Sequence, residues 1–94
     1  MAIQSFNDRD TKALWEGRRA KSIPADIQRR AIRKLQLIDA AVSINDLRVP
    51  PGNHLEALSG DLAGRHSIRV NKQWRVIFVW QDGNAYEVSI TDYH

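Results

Sequence analysis

No cysteine occurs anywhere in the 94 residues. Disulfides, a thiol nucleophile and cysteine-based metal sites are therefore excluded. The three histidines, His54, His66 and His94, lie far apart and show none of the short spacings of metal ligands. There is no Gly-rich phosphate loop and no G-x-S-x-G nucleophile elbow. The opening MAIQSFNDRD lacks the apolar stretch of a secretory signal, and no apolar run is long enough to span a bilayer. The expectation is a cytoplasmic protein that works without a membrane. Charge of one sign is not in great excess either. A net charge of +3 and a pI of about 9.7 permit an anionic partner without requiring one. Binding nucleic acid by bulk charge alone would call for a larger surplus.

What charge there is has a pattern. Residues 1–50 hold ten Lys and Arg against six Asp and Glu, and residues 51–94 hold four against five. The surplus lies in the first half, and the second half places a few cations at specific points. The length fits one domain over residues 1–94. A chain of this size buries about two-thirds of its unfolded surface, enough for one core. An open cleft or a flat working face is expected rather than a deep closed pocket.

The strongest pattern is at the C-terminal end. Ile68 and Val70 share one side of a first alternating segment, with Arg65, Ser67, Arg69 and Asn71 on the other. Trp74, Val76, Phe78 and Trp80 share a side of a second, and Tyr86, Val88 and Ile90 a side of a third. A period of two marks half-buried β-strands. Asp82-Gly83-Asn84 suits a tight hairpin, and Asn71-Lys72-Gln73 suits a turn. The prediction is a three-stranded antiparallel meander with one apolar face and with Arg65, Arg69 and Arg75 on the other.

Upstream, Ile3 to Phe6 reads as a short first strand. Asn7 or Asp8 caps a helix whose apolar side holds Ala13 and Leu14, and Gly17 ends it. Pro24 opens a second helix, where its missing N–H costs little. Ile27, Ala31, Leu35, Ile38 and Val42 form its buried stripe. Arg29, Arg30, Arg33 and Lys34 lie off that stripe. Val49-Pro50-Pro51-Gly52-Asn53 marks the change from helices to sheet. His54 to Leu58 reads as a short strand. The pattern is α+β: an N-terminal strand and a helical hairpin packed on a mostly antiparallel sheet of four to five strands.

Specific residues carry a family likeness. They are Pro51-Gly52-Asn53, Leu55-Glu56-Ala57-Leu58, Ser59-Gly60-Asp61, Gly64, Ser67-Ile68, Val70, Gln73-Trp74-Arg75 and Asp92-Tyr93-His94. Together with the element order, they resemble the RelE superfamily of bacterial toxins and, within it, the HigB branch. The resemblance covers the whole chain. It implies a ribosome-dependent endoribonuclease that cuts messenger RNA in the decoding site without a metal or other cofactor. It also implies a cognate helix-turn-helix antitoxin of the HigA type. Operator DNA would be reached only through that antitoxin, as the pair represses its own operon.

Metal-free RNA cleavage has three requirements: removal of the 2′ proton, stabilisation of charge on the phosphorane, and protonation of the leaving 5′ oxygen. His94 is the candidate proton carrier. Arg75 is expected to point away from the apolar face and grip phosphate oxygens with its planar guanidinium. Tyr93 either stacks a base or donates its hydroxyl to a phosphate. Arg65 and Arg69 are candidates for flanking phosphates or ribosomal RNA. Asp92 either orients His94 or caps the strand, and Asn71 either meets a base edge or serves its turn. Some family members carry a histidine and a lysine where this chain has Glu56 and Ser59. Glu56 is then either a general base or the structural partner of an arginine. His54, expected on the same side of its strand, is a second candidate base. His66 reads as a buried, hydrogen-bonded histidine, Lys72 as a solvated turn residue, and the tryptophans as core. Arg29, Arg30, Arg33 and Lys34 are expected to meet ribosomal RNA or an acidic antitoxin surface.

Two other functions compete. One is a binding module of the same fold that occupies the decoding site without cutting. The other is a structural or DNA-binding partner, which ranks last because the chain has no helix-turn-helix pattern of its own.

Overall fold

The computed structural model describes residues 1–92, so the expectations placed on Tyr93 and His94 lie outside the described residues. Helix α1 spans Arg9–Trp15 and helix α2 spans Ala25–Ala40. Strands β1 (Glu56–Ala57), β2 (Arg65–Arg69), β3 (Trp74–Gln81) and β4 (Asn84–Asp92) form one sheet in that order, every pair antiparallel. Leu14, Ile27, Ala31, Leu35 and Ile38 from the helices bury against Ile68, Val76, Phe78, Val88 and Ile90 from the sheet. The helical period and the strand period thus converge on one core. Among the described residues no helix is long and apolar enough to cross a membrane.

Local chemistry sets the element ends. Asp8 caps α1 by accepting the Thr11 N–H at 2.9 Å, and Gly17 follows the helix at φ +77°. The hairpin between β3 and β4 is the two-residue turn Asp82-Gly83, both at positive φ (52° and 78°), as the flanking strand twist requires. The segment expected as a first strand forms two isolated parallel bridges instead, Ile3 with Ala85 and Phe6 with Val88. Ala2 N–H is drawn off toward the Asp39 carbonyl at 2.9 Å, and Ile3 N–H toward the Asp39 carboxylate at 3.1 Å. Val42 drops out of the α2 stripe and is 82% exposed. The helix stops two residues earlier because the Asp46 carboxylate captures the Val42 and Ser43 N–H groups at 2.9 and 3.1 Å.

The third alternating segment also departs from its pattern. Ile77 pairs with Ser89 but Val79 pairs with Tyr86, so β4 carries one extra residue, and Glu87 sits at φ +53°. Such a bulge reverses the facing of every residue beyond it. Val88 and Ile90 stay in the core with Ala85, while Tyr86 turns to the face of Val79.

Thr11 ties α1 to β4. Its hydroxyl donates to Asp8 Oδ1 at 2.7 Å and accepts the buried Ile90 N–H at 2.9 Å. Thr11→Val keeps the shape but leaves that N–H without an acceptor. Urea unfolding is expected to show a loss of about 1–3 kcal/mol at an unchanged m-value, the cost of one orphaned buried donor. An unchanged midpoint would show that the tie carries no stability.

Candidate functional site

Two features meet at the end of the sheet where β2 turns into β3. The first is a buried arginine. Arg75 lies opposite Arg69 on β2 and Thr91 on β4, on the face away from the helices. It was expected to be exposed there, yet it is only 8% exposed. Its Nε donates to Ser67 Oγ at 2.7 Å and its Nη2 donates to the His54 carbonyl at 2.6 Å. Nη1 lies 3.8 Å from Glu56 Oε1, a loose pair whose carboxylate side is 54% exposed. A guanidinium can be buried only when polar groups receive its N–H donors, and Ser67 and His54 do so here.

His54 is not on the strand with Glu56. It sits at φ +44° in the left-handed region, after the short turn Pro51–Asn53 and ahead of β1, and its side chain is exposed. The backbone carbonyl, not the imidazole, is what Arg75 holds. Glu56 pairs with Ser67 across β1 and β2 and so shares the Arg75 face.

The second feature is an open cleft of about 710 Å3 between α2 and the β2–β3 turn. Arg30, Arg33 and Lys34 supply one wall, since residues three and four apart share a helix face. Arg69, Asn71, Lys72 and Gln73 supply the other. Among the described residues, five cations therefore face one cleft, and none of those lining it is acidic. Lys34 is anchored there, its ammonium donating to Asn53 Oδ1 at 2.6 Å. Asn53 is fully buried, and its amide donates to the Leu47 and Val49 carbonyls at 3.1 and 3.3 Å. Partial burial pulls the Lys34 ammonium below the usual lysine range, and the charges of Arg30 and Arg33 pull the same way. A bound anion would offset the repulsion from Arg30 and Arg33.

The remaining expected site residues divide between this cleft and other places. Arg69 lines the cleft, with its Nε on the Asn71 carbonyl at 3.0 Å. Asn71 Oδ1 accepts the Gln73 and Trp74 N–H groups, both at 2.8 Å, so its side chain builds the turn. Lys72, read as a solvated turn residue, is exposed and belongs to the cleft wall. Arg29 is exposed outside the cleft lining. Arg65 lies at the far end of β2, about 13 Å from Arg69 at strand rise. There it pairs with Glu87 at 3.1 Å rather than joining the cleft. Asp92 pairs with Trp74, the side opposite Arg75, and accepts from Gln73 Nε2 at 3.0 Å.

His66 faces the core and stacks on Phe78 with ring centroids 6.4 Å apart. Its buried Nδ1 has no hydrogen-bond partner, which corrects the hydrogen-bonded reading, and burial pushes its pKa down. Trp15, Trp74 and Trp80 pack against the core. Among the described residues, no three His, Asp or Glu side chains are grouped as metal ligands would be.

Sequence reasoning missed Ser67, Lys72 and Gln73 as site residues. The spacing of Arg30, Arg33 and Lys34 was a usable signal for one wall, but nothing local says which turn faces it. Ser67 falls on the polar side of its alternation, where burial is not expected.

A family model described as the RelE-like toxin of type II toxin–antitoxin system HigB matches residues 4–94. The chain is 48% identical over 86 residues to Toxin HigB-1 of Vibrio cholerae serotype O1, covering 90% of each protein. It is 36% identical over 92 residues to Endoribonuclease HigB of Proteus vulgaris, covering 98% of this chain and 99% of that one. Among solved structures, the YoeB–YefM complex from Staphylococcus aureus matches with a TM-score of 0.62 at 17% identity, covering 100% of this chain and 99% of that one. The YoeB dimer from the same organism matches at 0.59 and 18%, covering 100% and 97%. At those identities the solved structures share the fold.

Proposed function

The chain belongs to the HigB family of RelE-like toxins from type II toxin–antitoxin systems, and from that premise we propose that it is an endoribonuclease that cuts messenger RNA in the ribosomal A site. The observation that carries the RNA-directed part is the cleft of five cations, one of which, Arg69, is the strand partner of Arg75. Phosphates are the anions that such a row of fixed charges suits, and guanidinium groups grip them bidentately.

The reaction needs no group from outside the RNA as nucleophile. A general base takes the 2′-hydroxyl proton, the 2′ oxygen bonds to the adjacent phosphorus, and the bond to the 5′ oxygen breaks as an acid protonates it. The products are a 2′,3′-cyclic phosphate and a 5′-hydroxyl. His94 is assigned the proton-carrying role, and Tyr93 the contact with a base or the reacting phosphate. Both follow directly on Asp92, whose strand partner Trp74 precedes Arg75. Glu56 and His54 are the candidates for the second proton-transfer group. Arg75 stabilises charge on the phosphorane. Arg30, Arg33, Lys34, Arg69 and Lys72 hold flanking phosphates of message or ribosomal RNA. A HigA-type helix-turn-helix antitoxin is the proposed partner, and operator DNA is met only through it.

The second reading, a module that blocks the decoding site without cutting, is favoured by the inward ties of Arg75. Mapping RNA 5′ ends in expressing cells separates the two. Cuts at fixed positions within codons of translated messages support the nuclease, and arrest without such cuts supports the blocking module. Naked RNA is expected to be cut very slowly. Correct in-line geometry is worth about 10^5 or more in effective molarity, and an open cleft of this size does not wrap a strand to provide it. Equal rates on free and ribosome-bound message would remove the ribosome from the mechanism.

The cleft makes a separate prediction. Arg33→Ala is expected to weaken ribosome association and to reduce the slope of log K against log salt by about 1, the signature of one lost phosphate contact. A slope equal to that of the parent would place Arg33 outside the RNA interface.

A further inference from the structure

We propose that Ser67 is a positioning residue of the RNA site: its buried hydroxyl fixes the Arg75 guanidinium, and through it the His54 turn. The inference rests on the nuclease reading above for its catalytic consequence, but its geometry stands apart from that reading. Ser67 is fully buried although it lies on the polar side of β2. It pairs with Glu56 on β1 and with Ile77 on β3, so it sits in the middle of the sheet face that carries Arg75. Arg75 is one strand over and two residues along, and its side chain folds back across the sheet to place Nε on Ser67 Oγ at 2.7 Å.

That contact fixes the plane of the guanidinium. The planar group has only its long stem to orient it, and a hydrogen bond at Nε removes rotation about the last flexible bonds. With Nε held, Nη2 falls 2.6 Å from the His54 carbonyl, and Nη1 is turned toward Glu56. One hydroxyl thus sets the place of Arg75, of a loop residue in the left-handed region, and of the arginine edge facing Glu56. An apolar residue of the same size would take the Ser67 acceptor away from Nε and loosen the plane of the guanidinium.

The test is a double-mutant cycle read as turnover and KM on ribosome-bound message. Ser67→Ala is expected to lower kcat by about 10- to 100-fold with KM within about twofold of the parent, the usual size of a lost supporting contact. Ser67→Thr, which keeps the hydroxyl, is expected to restore most of the rate. In an Arg75→Met background there is no donor for the hydroxyl to hold, so Ser67→Ala is expected to add nothing. A merely structural serine would cost the same in both backgrounds, and that result, or an undiminished kcat in folded Ser67→Ala, overturns the proposal.

A second measurement does not depend on cleavage. In the isolated protein the Arg75 Nε–H should exchange slowly with solvent, and in Ser67→Ala it should exchange quickly while the core amides remain protected. Should the parent fail to cut ribosome-bound message, the nuclease reading has failed, and this exchange measurement still decides the positioning claim. Protection of Arg75 Nε–H unaltered by Ser67→Ala overturns it.

Discussion

Arg75→Ala is expected to abolish growth arrest and to lower the stability of the fold at the same time. The two effects have different origins. Removing the guanidinium takes the donor from the buried Ser67 hydroxyl and from the His54 carbonyl. A buried polar group left without its partner costs about 1–3 kcal/mol, so unfolding in urea should report a loss of at least that size. Cleavage should fall by about 10^2 to 10^3, the usual worth of one preorganised donor to a developing oxyanion. Arg75→Lys separates the terms. A lysine keeps the charge and can reach one acceptor, but it has no planar fork. It should recover part of the stability and little of the activity. Growth arrest at the parental level in an Arg75→Ala protein that is still folded at the assay temperature would take this residue out of the mechanism.

How the two halves of the site came to be legible to different degrees follows from what a periodic pattern carries. The alternation of Trp74, Val76, Phe78 and Trp80 and the three- and four-residue steps of Ile27, Ala31, Leu35 and Ile38 report which residues face the core, and the core is where they point. The Asp82-Gly83 turn was legible for the same reason, because its chemistry is local. What alternation cannot carry is a change of phase. The residue inserted at Glu87 alters no composition and breaks no apolar run, yet it moves Tyr86 to the other face. Nor does alternation say what covers the second face. Ser67 and Arg75 read as solvent-facing, yet both are buried, with the arginine side chain folded onto the serine hydroxyl. His54 fails as a strand residue through a backbone conformation that side-chain pattern does not encode. The basic cleft is invisible for a third reason. Its walls are far apart in sequence, and only the packing of α2 on the sheet brings Arg33 to Lys72.

The cleft and the arginine also differ in how they should respond to change. Cations in an open cleft act at a distance and add to one another, so single losses there are expected to be small and dependent on salt. Arg75 is itself buried and held by short contacts, so on the proposed reading its loss is expected to be large and to persist at high salt. On the proposed reading, binding and chemistry should be separable by ionic strength, with KM expected to track the cleft and kcat the sheet face.

His94→Gln is expected to reduce cleavage of ribosome-bound message by about two to four orders of magnitude, the usual worth of one general acid or base. Glutamine keeps a polar side chain of similar size and removes the titratable proton, so a loss of that size speaks to proton transfer rather than to packing. The pH profile sharpens the test. An imidazole titrates near neutrality, so the parental rate should bend there, and the bend should vanish in the variant. Glu56 on β1 and His54 just ahead of it are the two candidates for the partner role. Glu56 lies 3.8 Å from Arg75 with its side chain 54% exposed, open to a substrate but only loosely held. The exposed His54 imidazole sits on a backbone that Arg75 fixes through its carbonyl. If Glu56 is the base, Glu56→Gln should slow cleavage by a similar factor and His54→Gln should stay close to the parent. If His54 is the base, His54→Gln should slow cleavage by that factor and Glu56→Gln should stay close to the parent. Cleavage by His94→Gln at the parental rate would remove His94 from the proton transfer and leave both steps to Glu56 and His54.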